Sequence, residues 1–176
     1  EGKKLISRVE TVPMVSIRKV GFRIPTSKSG KYRLRLLNGR IPVQTSTFEH
    51  KVKNRNEPHK STFHSEIDGS VQYYAVNPSK SSATGQALFL SLHGASVEAI
   101  GQASAYGQKD WGTLIAPTNR RPFGFDWEEI GRLDALEVLA LAKSEYKTDP
   151  AQTYLTGHSM GGHGTWQLGA HFPDKF

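Results

Sequence analysis

The pattern of hydrophobic and polar positions changes near residue 60. Before that point the clearest signal is residues 31–37, where apolar side chains alternate with basic ones. A period of two predicts a strand with one buried and one wet face. The other elements predicted in this region are strands at 14–24 and 46–53 and turns at 25–30 and at Asn38-Gly39. We therefore predict a small β-sandwich-like module over residues 1–60, ending in the polar, proline-containing stretch 54–60.

From residue 61 onward, predicted strands alternate with predicted helices. Residues 87–92 and 112–116 are short, continuously apolar runs, as expected of strands buried on both faces. Residues 126–146 carry an apolar stripe wide enough to lie on a sheet, and Asp126 and Glu129 are spaced as a capping box. The remaining predictions are strands at 62–67, 71–76 and 153–156 and helices at 96–105 and from 160 to about 170. This alternation predicts an α/β fold over 61–176, a mostly parallel sheet with helices on both faces.

The pentapeptide Gly157-His158-Ser159-Met160-Gly161 stands between a predicted strand and a predicted helix. It fits G-x-S-x-G, which in that context indicates a nucleophile elbow. The tight turn holds the serine in a strained backbone conformation, and the flanking glycines leave room for neighbouring chain. The hydroxyl then projects at a helix N-terminus, where backbone amides favour a developing oxyanion. We predict that Ser159 is a catalytic nucleophile; the alternative is that it only caps the helix.

A second feature, Leu92-His93-Gly94-Ala95, ends the most hydrophobic strand. Acyl transfer needs two amide donors about 3 Å from the oxyanion. One donor is the residue after the nucleophile, here Met160, and the other comes from the loop after an earlier strand. We predict that Ala95 is the second donor, with Ser96 close behind it. The alternative is an ordinary strand-ending turn.

Together these motifs resemble a known superfamily. The stretch from Asp149 to Trp166, followed by His171 to Phe176, is similar to the α/β-hydrolases. Within them it is most similar to the prolyl oligopeptidase-like peptidases and related esterases, including the depolymerase and feruloyl esterase group, whose oxyanion loop the Leu-His-Gly strand end matches. The resemblance covers about residues 62–176 and is specific over 149–176. It implies a serine hydrolase of esters or peptides that uses no metal or organic cofactor. The β module predicted for residues 1–60 is consistent with this resemblance.

The acid and base of such a site have no counterparts in the expected places. A serine needs a base to remove its proton, and this superfamily orders the three residues as Ser, then Asp or Glu, then His. The 17 residues after Ser159 hold His163, His171 and Asp174, all on or beside the helix that follows the serine. We therefore expect the front part of a larger hydrolase, with little or no turnover alone. Its strand 153–156 would be an exposed edge open to self-association.

Further candidates lie on the loop after the strand 112–116, on the side where open α/β sheets bind ligands. We predict substrate contacts from Arg120, Arg121, Phe123 and Trp127, and from His158 beside the nucleophile. The alternative for the loop is a solvated segment with a hydrophobic anchor. The alternative for His158 is a packed or hydrogen-bonded supporting role.

Composition excludes several function classes. The 176 residues include no cysteine, so disulfides, thiolate metal sites and a cysteine nucleophile are excluded. No apolar run approaches the roughly 20 residues of a membrane span, so we expect no membrane partner. Histidine spacing gives no zinc motif, and helix capping explains the acidic residues at 126–129 without a metal.

The charge is uneven along the chain. Residues 1–60 hold 15 of the 23 Lys and Arg residues and four acidic ones, whereas 61–176 hold eight basic and twelve acidic residues. The basic residues occur singly, without an RNA-binding or helix-turn-helix pattern, so we predict a solvated sheet face and no nucleic-acid partner. The leading hypothesis is a serine hydrolase with an ester or peptide substrate. Its rival is a non-catalytic fragment that binds a polymer or partner. The absent initial methionine and the added β module predict an exported, secreted or periplasmic enzyme.

Overall fold

A computed structural model describes residues 4–9, 11–17, 20–22, 24, 28–121 and 126–176. Their contacts define two compact units, one spanning residues 22–54 and the other made of the remaining described residues. The division into an accessory module at 1–60 and a hydrolase part at 61–176 remains a prediction.

The smaller unit contains a β-hairpin. Strand β1 (Gly30–Asn38) pairs antiparallel with β2 (Ile41–His50). Gly39 takes a φ of +60°, which suits the tight turn and which glycine adopts without steric cost. Tyr32 and Phe48 lie opposite each other and stack, with ring centroids 5.8 Å apart. The strand predicted at 31–37 and the turn predicted at Asn38-Gly39 are therefore present.

The sandwich predicted for residues 1–60 is not observed in the described part of that range. A sandwich needs two packed sheets, whereas these residues form one two-stranded sheet and the start of a strand in the larger unit. The described residues of 14–24 also form no strand, and Met14, Val15 and Ile17 are at least 92% exposed. An apolar run becomes a strand only where a neighbouring strand and a core receive it.

The larger unit is built on a five-stranded sheet in the order β3-β4-β6-β5-β7. Its strands are β3 (His59–His64), β4 (Val71–Asn77), β5 (Ala87–Leu92), β6 (Gly112–Ala116) and β7 (Thr153–Gly157). Because β4 is antiparallel to both of its neighbours while β6, β5 and β7 are parallel, four of these five strands run in one direction. The mostly parallel sheet is confirmed, and both continuously apolar runs lie at its centre.

Helices cover both faces of this sheet. Helix α1 (Ala99–Ser104) lies on one face, and α2 (Glu129–Tyr146) and α3 (Met160–His171) lie on the other. Successive side chains of a strand point to opposite faces, so Leu90 of β5 joins the core under α2 and α3 while its neighbour Phe89 packs with α1. The larger core comprises Tyr74, Val76, Leu88, Leu90, Leu92, Ile115, Trp127, Ala135, Val138, Leu139, Ala142 and Leu168. The α/β fold class is confirmed.

The predicted capping box at the start of α2 is wrong. The helix begins at Glu129 with Glu128 as its N-cap residue, and no side chain caps it. Asp126 and Trp127 have φ values of 48° and 65°, in the left-handed region, so the chain reverses direction before the helix starts. The spacing of Asp126 and Glu129 fits a capping box, but the backbone between them is not helical.

Strand β7 is the last strand on its side of the sheet and pairs only with β5 within the described chain. Its position at an edge agrees with the sequence analysis, and self-association through it remains a prediction. None of the helices among the described residues is long and apolar enough to cross a bilayer.

Candidate active site

Ser159 occupies the sharp turn between β7 and α3. Its backbone has φ 55° and ψ −119°, a conformation that L-residues rarely adopt and that costs about 1–3 kcal/mol. Its side chain is exposed, it does not cap α3, and within the described residues its hydroxyl has no hydrogen-bond partner. The helix-capping alternative is therefore not what the geometry shows, and the hydroxyl is free to meet a ligand at the N-terminus of α3.

Glycines make this turn possible because the backbone of α3 lies directly against the end of β5. A Cβ at Gly161 would overlap the carbonyl oxygen of Leu92 and lie 3.0 Å from that of His93. A Cβ at Gly157 would overlap the carbonyl oxygen of Gly161. The two glycines of the motif thus allow the close approach of backbone to backbone that brings Ser159 to the end of β5.

The loop after β5 passes beside the serine. A Cβ placed on Gly94 would lie 3.3 Å from the Ser159 Cβ and 3.2 Å from the His158 carbonyl oxygen. Ala95 follows on the exposed surface, and its amide has no acceptor among the described residues. Met160 is the first residue of α3, where an amide has no acceptor within the helix. Two unpaired amides therefore flank the serine, and their role as oxyanion donors remains a prediction.

The described chain does not bring an acid or a base to Ser159. His163 Nε2 lies 3.2 Å from Glu128 Oε1, and His171 Nδ1 lies 2.8 Å from the carbonyl oxygen of Gln167. Asp174 is exposed and paired with Lys175, whose hydrogen bond lowers the pKa of the carboxyl. None of these side chains hydrogen-bonds to the Ser159 hydroxyl, and among the described residues no cluster of His, Asp or Glu could hold a metal ion.

Arg120 is an internal anchor rather than an exposed contact. Its side chain is 10% exposed, and its Nε lies 3.1 Å from Oδ1 of the fully buried Asp134. It also donates to the Ser65 hydroxyl at 2.7 Å and forms ion pairs with Asp68 and Glu137, both at 3.4 Å. These contacts join the turn between β3 and β4 to α2. The substrate contact predicted for Arg120 is therefore wrong, because this network occupies its guanidinium.

Asp134 is the fully buried acid of this network, and the sequence analysis did not single it out. It lies within the apolar stripe of α2 and accepts hydrogen bonds from the backbone amide and hydroxyl of Thr118. Burial raises the pKa of the Asp134 carboxyl, and the nearby Arg120 opposes that shift. The sequence did contain a signal for this network: Asp134 is a single acidic residue between Leu133 and Ala135 in an apolar stripe, and a buried acid needs a partner.

Trp127 is fully buried, so the substrate contact predicted for it is also wrong. It fills the core beside α3, where it serves as the hydrophobic anchor of its loop. Arg121 and His158 are exposed, and their contacts with substrate remain predictions. Phe123, the other candidate on this loop, lies outside the described residues.

The sheet order, the flanking helices and the serine turn define an α/β-hydrolase fold, and comparisons with known proteins agree. Residues 97–176 match the family described as putative esterase. No curated protein sequence matches the chain significantly.

Solved structures of hydrolases share the fold at low sequence identity. The chain is similar to a thermostable esterase, with 21% identity and a TM-score of 0.54 over 77% of this chain and 44% of that one. It is similar to the fluorophosphonate-binding serine hydrolase FphF of Staphylococcus aureus, with 18% identity, a TM-score of 0.57 and coverages of 68% and 53%. It is also similar to an S-formylglutathione hydrolase from Agrobacterium tumefaciens, with 19% identity, a TM-score of 0.55 and coverages of 70% and 57%. The chain thus spans about half the length of these structures.

Proposed function

We propose that Ser159 is the nucleophile of a serine hydrolase that cleaves carboxylic esters through an acyl-enzyme. Its Oγ attacks the ester carbonyl carbon and loses its proton to a base. The tetrahedral intermediate then collapses, the alcohol leaves with that proton, and the acyl group stays on Oγ. Water repeats the attack, releases the acid and restores the serine. The observation that carries this proposal is the exposed, unpartnered hydroxyl on a backbone held at φ 55° and ψ −119°.

The amides of Met160 and Ala95 are the proposed oxyanion donors. Negative charge develops on the former carbonyl oxygen as Oγ attacks, and preorganised donors that point at that position stabilise it. Met160 provides an amide at the positive end of α3. Ala95 provides one from the loop that passes the serine at Gly94. His158, exposed beside the nucleophile, is proposed to contact the substrate, as is Arg121.

An ester is favoured over a peptide by the esterase match, which covers the serine turn and α3. Peptide cleavage would proceed through the same acyl-enzyme with an amine as leaving group. Paired assays of p-nitrophenyl acetate and a chromogenic peptide distinguish the two. Release of p-nitrophenol without peptide cleavage supports the ester proposal, and the reverse result contradicts it.

The proposal places the acid and base outside the described chain. Without them Ser159 keeps its proton, and the chain alone is expected to react slowly. We further propose an exported protein, for which detection in a culture supernatant or periplasmic fraction is the test.

A fluorophosphonate probe, read out by mass spectrometry of the modified peptide, tests the nucleophile directly. The probe is applied to the 176-residue chain and to that chain extended by any residues encoded after Phe176. We expect faint labelling of the chain alone and strong labelling of the extended protein, in both cases at Ser159. Ser159→Ala removes the label, whereas the control Ser104→Ala, an exposed serine at the end of α1, retains it.

Strong labelling of the short chain would refute the proposed external base. An unlabelled extended protein would refute the nucleophile itself. That second outcome would favour the rival function, a hydrolase-like module that binds a polymer or partner. The rival is supported by the same unpartnered hydroxyl, since a serine without a base is also what a non-catalytic fold would show.

A further inference from the structure

We propose that Trp127 is a positioning residue that fixes the direction of the Ala95 amide by bracing His93. The part of this inference that concerns the oxyanion rests on the proposed function. The brace, by which we mean the contact of Trp127 with His93, concerns only the loop after β5, and its test needs no catalytic activity.

Trp127 is held between two elements of the candidate active site. On one side its ring meets α3 so closely that a Cβ at Gly164 would lie 2.5 Å from the indole Cδ1. On the other side it meets the His93 ring edge to face, with centroids 4.9 Å apart. Its own backbone has a φ of 65°, which is unfavourable for a bulky residue and persists only where the surroundings hold it. The position of this indole is therefore strongly constrained.

The indole N–H of Trp127 donates a hydrogen bond of 3.1 Å to the carbonyl oxygen of His93. The peptide bond is planar, so fixing this carbonyl also fixes the plane of the Gly94 amide. The contact is fully buried on both sides, since Trp127 and His93 each have 0% exposure. Water cannot replace the indole as a donor there without a rearrangement of the core.

The His93 ring restrains the next peptide bond, between Gly94 and Ala95. Its Nδ1 lies 2.9 Å from the carbonyl oxygen of Gly94, and its Nε2 lies 3.0 Å from that of Thr118. A neutral imidazole carries one N–H, so the proposal takes the tautomer in which Nδ1 carries the proton and donates it to the Gly94 oxygen. In a trans peptide the N–H points away from the preceding carbonyl oxygen. Holding the Gly94 carbonyl toward His93 therefore points the Ala95 N–H the opposite way. The amide of Val97 closes the loop with a bond of 3.2 Å to the same Gly94 oxygen.

The test replaces Trp127 by Phe, which keeps an aromatic ring and removes the N–H. Amide hydrogen exchange is followed by NMR at Val97, which reports the loop, and at Leu90, which lies within β5. We expect Val97 to exchange about tenfold faster in Trp127→Phe while Leu90 changes less than about twofold, because one buried hydrogen bond is lost locally. The matched control is Trp166→Phe, since Trp166 is 82% exposed. This control should leave both rates unchanged.

Equal acceleration at Val97 and Leu90 would show that Trp127 only stabilises the whole core, and would overturn the proposal. Unchanged exchange at Val97 would overturn it as well. A second measurement needs no variant: the indole proton of Trp127 should exchange far more slowly than those of Trp111 and Trp166, which are 52% and 82% exposed. Rapid exchange of the Trp127 indole proton would contradict the brace. If fluorophosphonate labelling fails while Val97 responds selectively, the proposed function is wrong and the brace stands.

Discussion

Replacing Gly161 by Ala should disrupt the packing of α3 against the end of β5 and destabilise the fold, although alanine is the better helix former. The substitution adds one methyl group inside α3. In an unconstrained helix, that change stabilises a protein by about 0.5–1 kcal/mol. At this position the new Cβ would overlap the Leu92 carbonyl oxygen, and it would lie 2.5 Å from the Leu92 carbonyl carbon and 3.0 Å from the His93 oxygen.

All three obstructing atoms belong to the backbone of β5 and its loop, so no side chain can rotate aside. Helix α3 and β5 must separate by roughly 1 Å to restore normal contact distances. Overpacking of this kind costs about 1–3 kcal/mol and occasionally more. After the gain in helix propensity is subtracted, we expect Gly161→Ala to lower the free energy of unfolding by about 1 kcal/mol. For a chain of this length that is a fall in Tm of about 2–4 °C.

Urea unfolding followed by far-UV circular dichroism measures this free energy. Gly169→Ala is the matched control, because it lies in the same helix and the nearest atom to its new Cβ, Leu155 Cδ2, is 3.9 Å away. We expect this control to gain about 0.5–1 kcal/mol. If Gly161→Ala proves as stable as the unaltered chain, the close approach of α3 to β5 does not exist and the geometry of the serine turn is wrong.

Four further predictions concern other parts of the molecule. Ser159→Gly should have a free energy of unfolding about 1 kcal/mol higher than Ser159→Ala in urea denaturation, because glycine adopts the positive φ without strain. Arg120→Ala should cost about 3–5 kcal/mol in thermal or urea unfolding by leaving Asp134 buried and unpaired, and adding Asp134→Asn should recover part of that loss. The Ser70 hydroxyl and backbone amide, and after them Arg120, hold the pKa of Asp68 below its usual 3.8. Asp68 therefore stabilises the fold above that value, and this contribution is lost as the pH falls through the lowered pKa, so Asp68→Asn should flatten the fall in stability at acid pH. If copies pair through the β7 edge, Tyr154→Lys should have a lower sedimentation coefficient than the unaltered chain at high protein concentration. The same coefficient for the variant and the unaltered chain would refute the pairing.

Local sequence was sufficient where one signal determines the structure. Ala87–Leu92 and Gly112–Ala116 are strands with the predicted bounds, because a continuous apolar run of that length is stable only when both faces are covered. The serine turn was equally accessible, since only glycines permit the approach of α3 to β5. The order of the strands was not, because it depends on pairings such as β4 with β6, which join segments about forty residues apart.

The loop after β6 shows why the remaining details escaped prediction. Arg120 and Trp127 have the residue types of an exposed binding loop, and nothing in the adjacent sequence distinguishes a binding role from an anchoring one. Their burial depends on distant partners. Asp134 on α2 neutralises the guanidinium, and Gly164 on α3 leaves space for the indole. A polar or aromatic residue in a loop becomes internal only when tertiary structure supplies its partner.

These anchors give the candidate active site a consistent physical basis. A reactive serine needs donors that are already in place when charge develops, because donors that must reorganise lose much of their effect. Here close backbone contact at Gly161 places the serine, while the buried Trp127–His93 contact holds the loop that faces it. Both constraints come from elements between β5 and α3, so under the proposed function the described chain itself supplies the two oxyanion donors. The same proposal leaves proton transfer to an acid and a base that the described chain does not place beside Ser159.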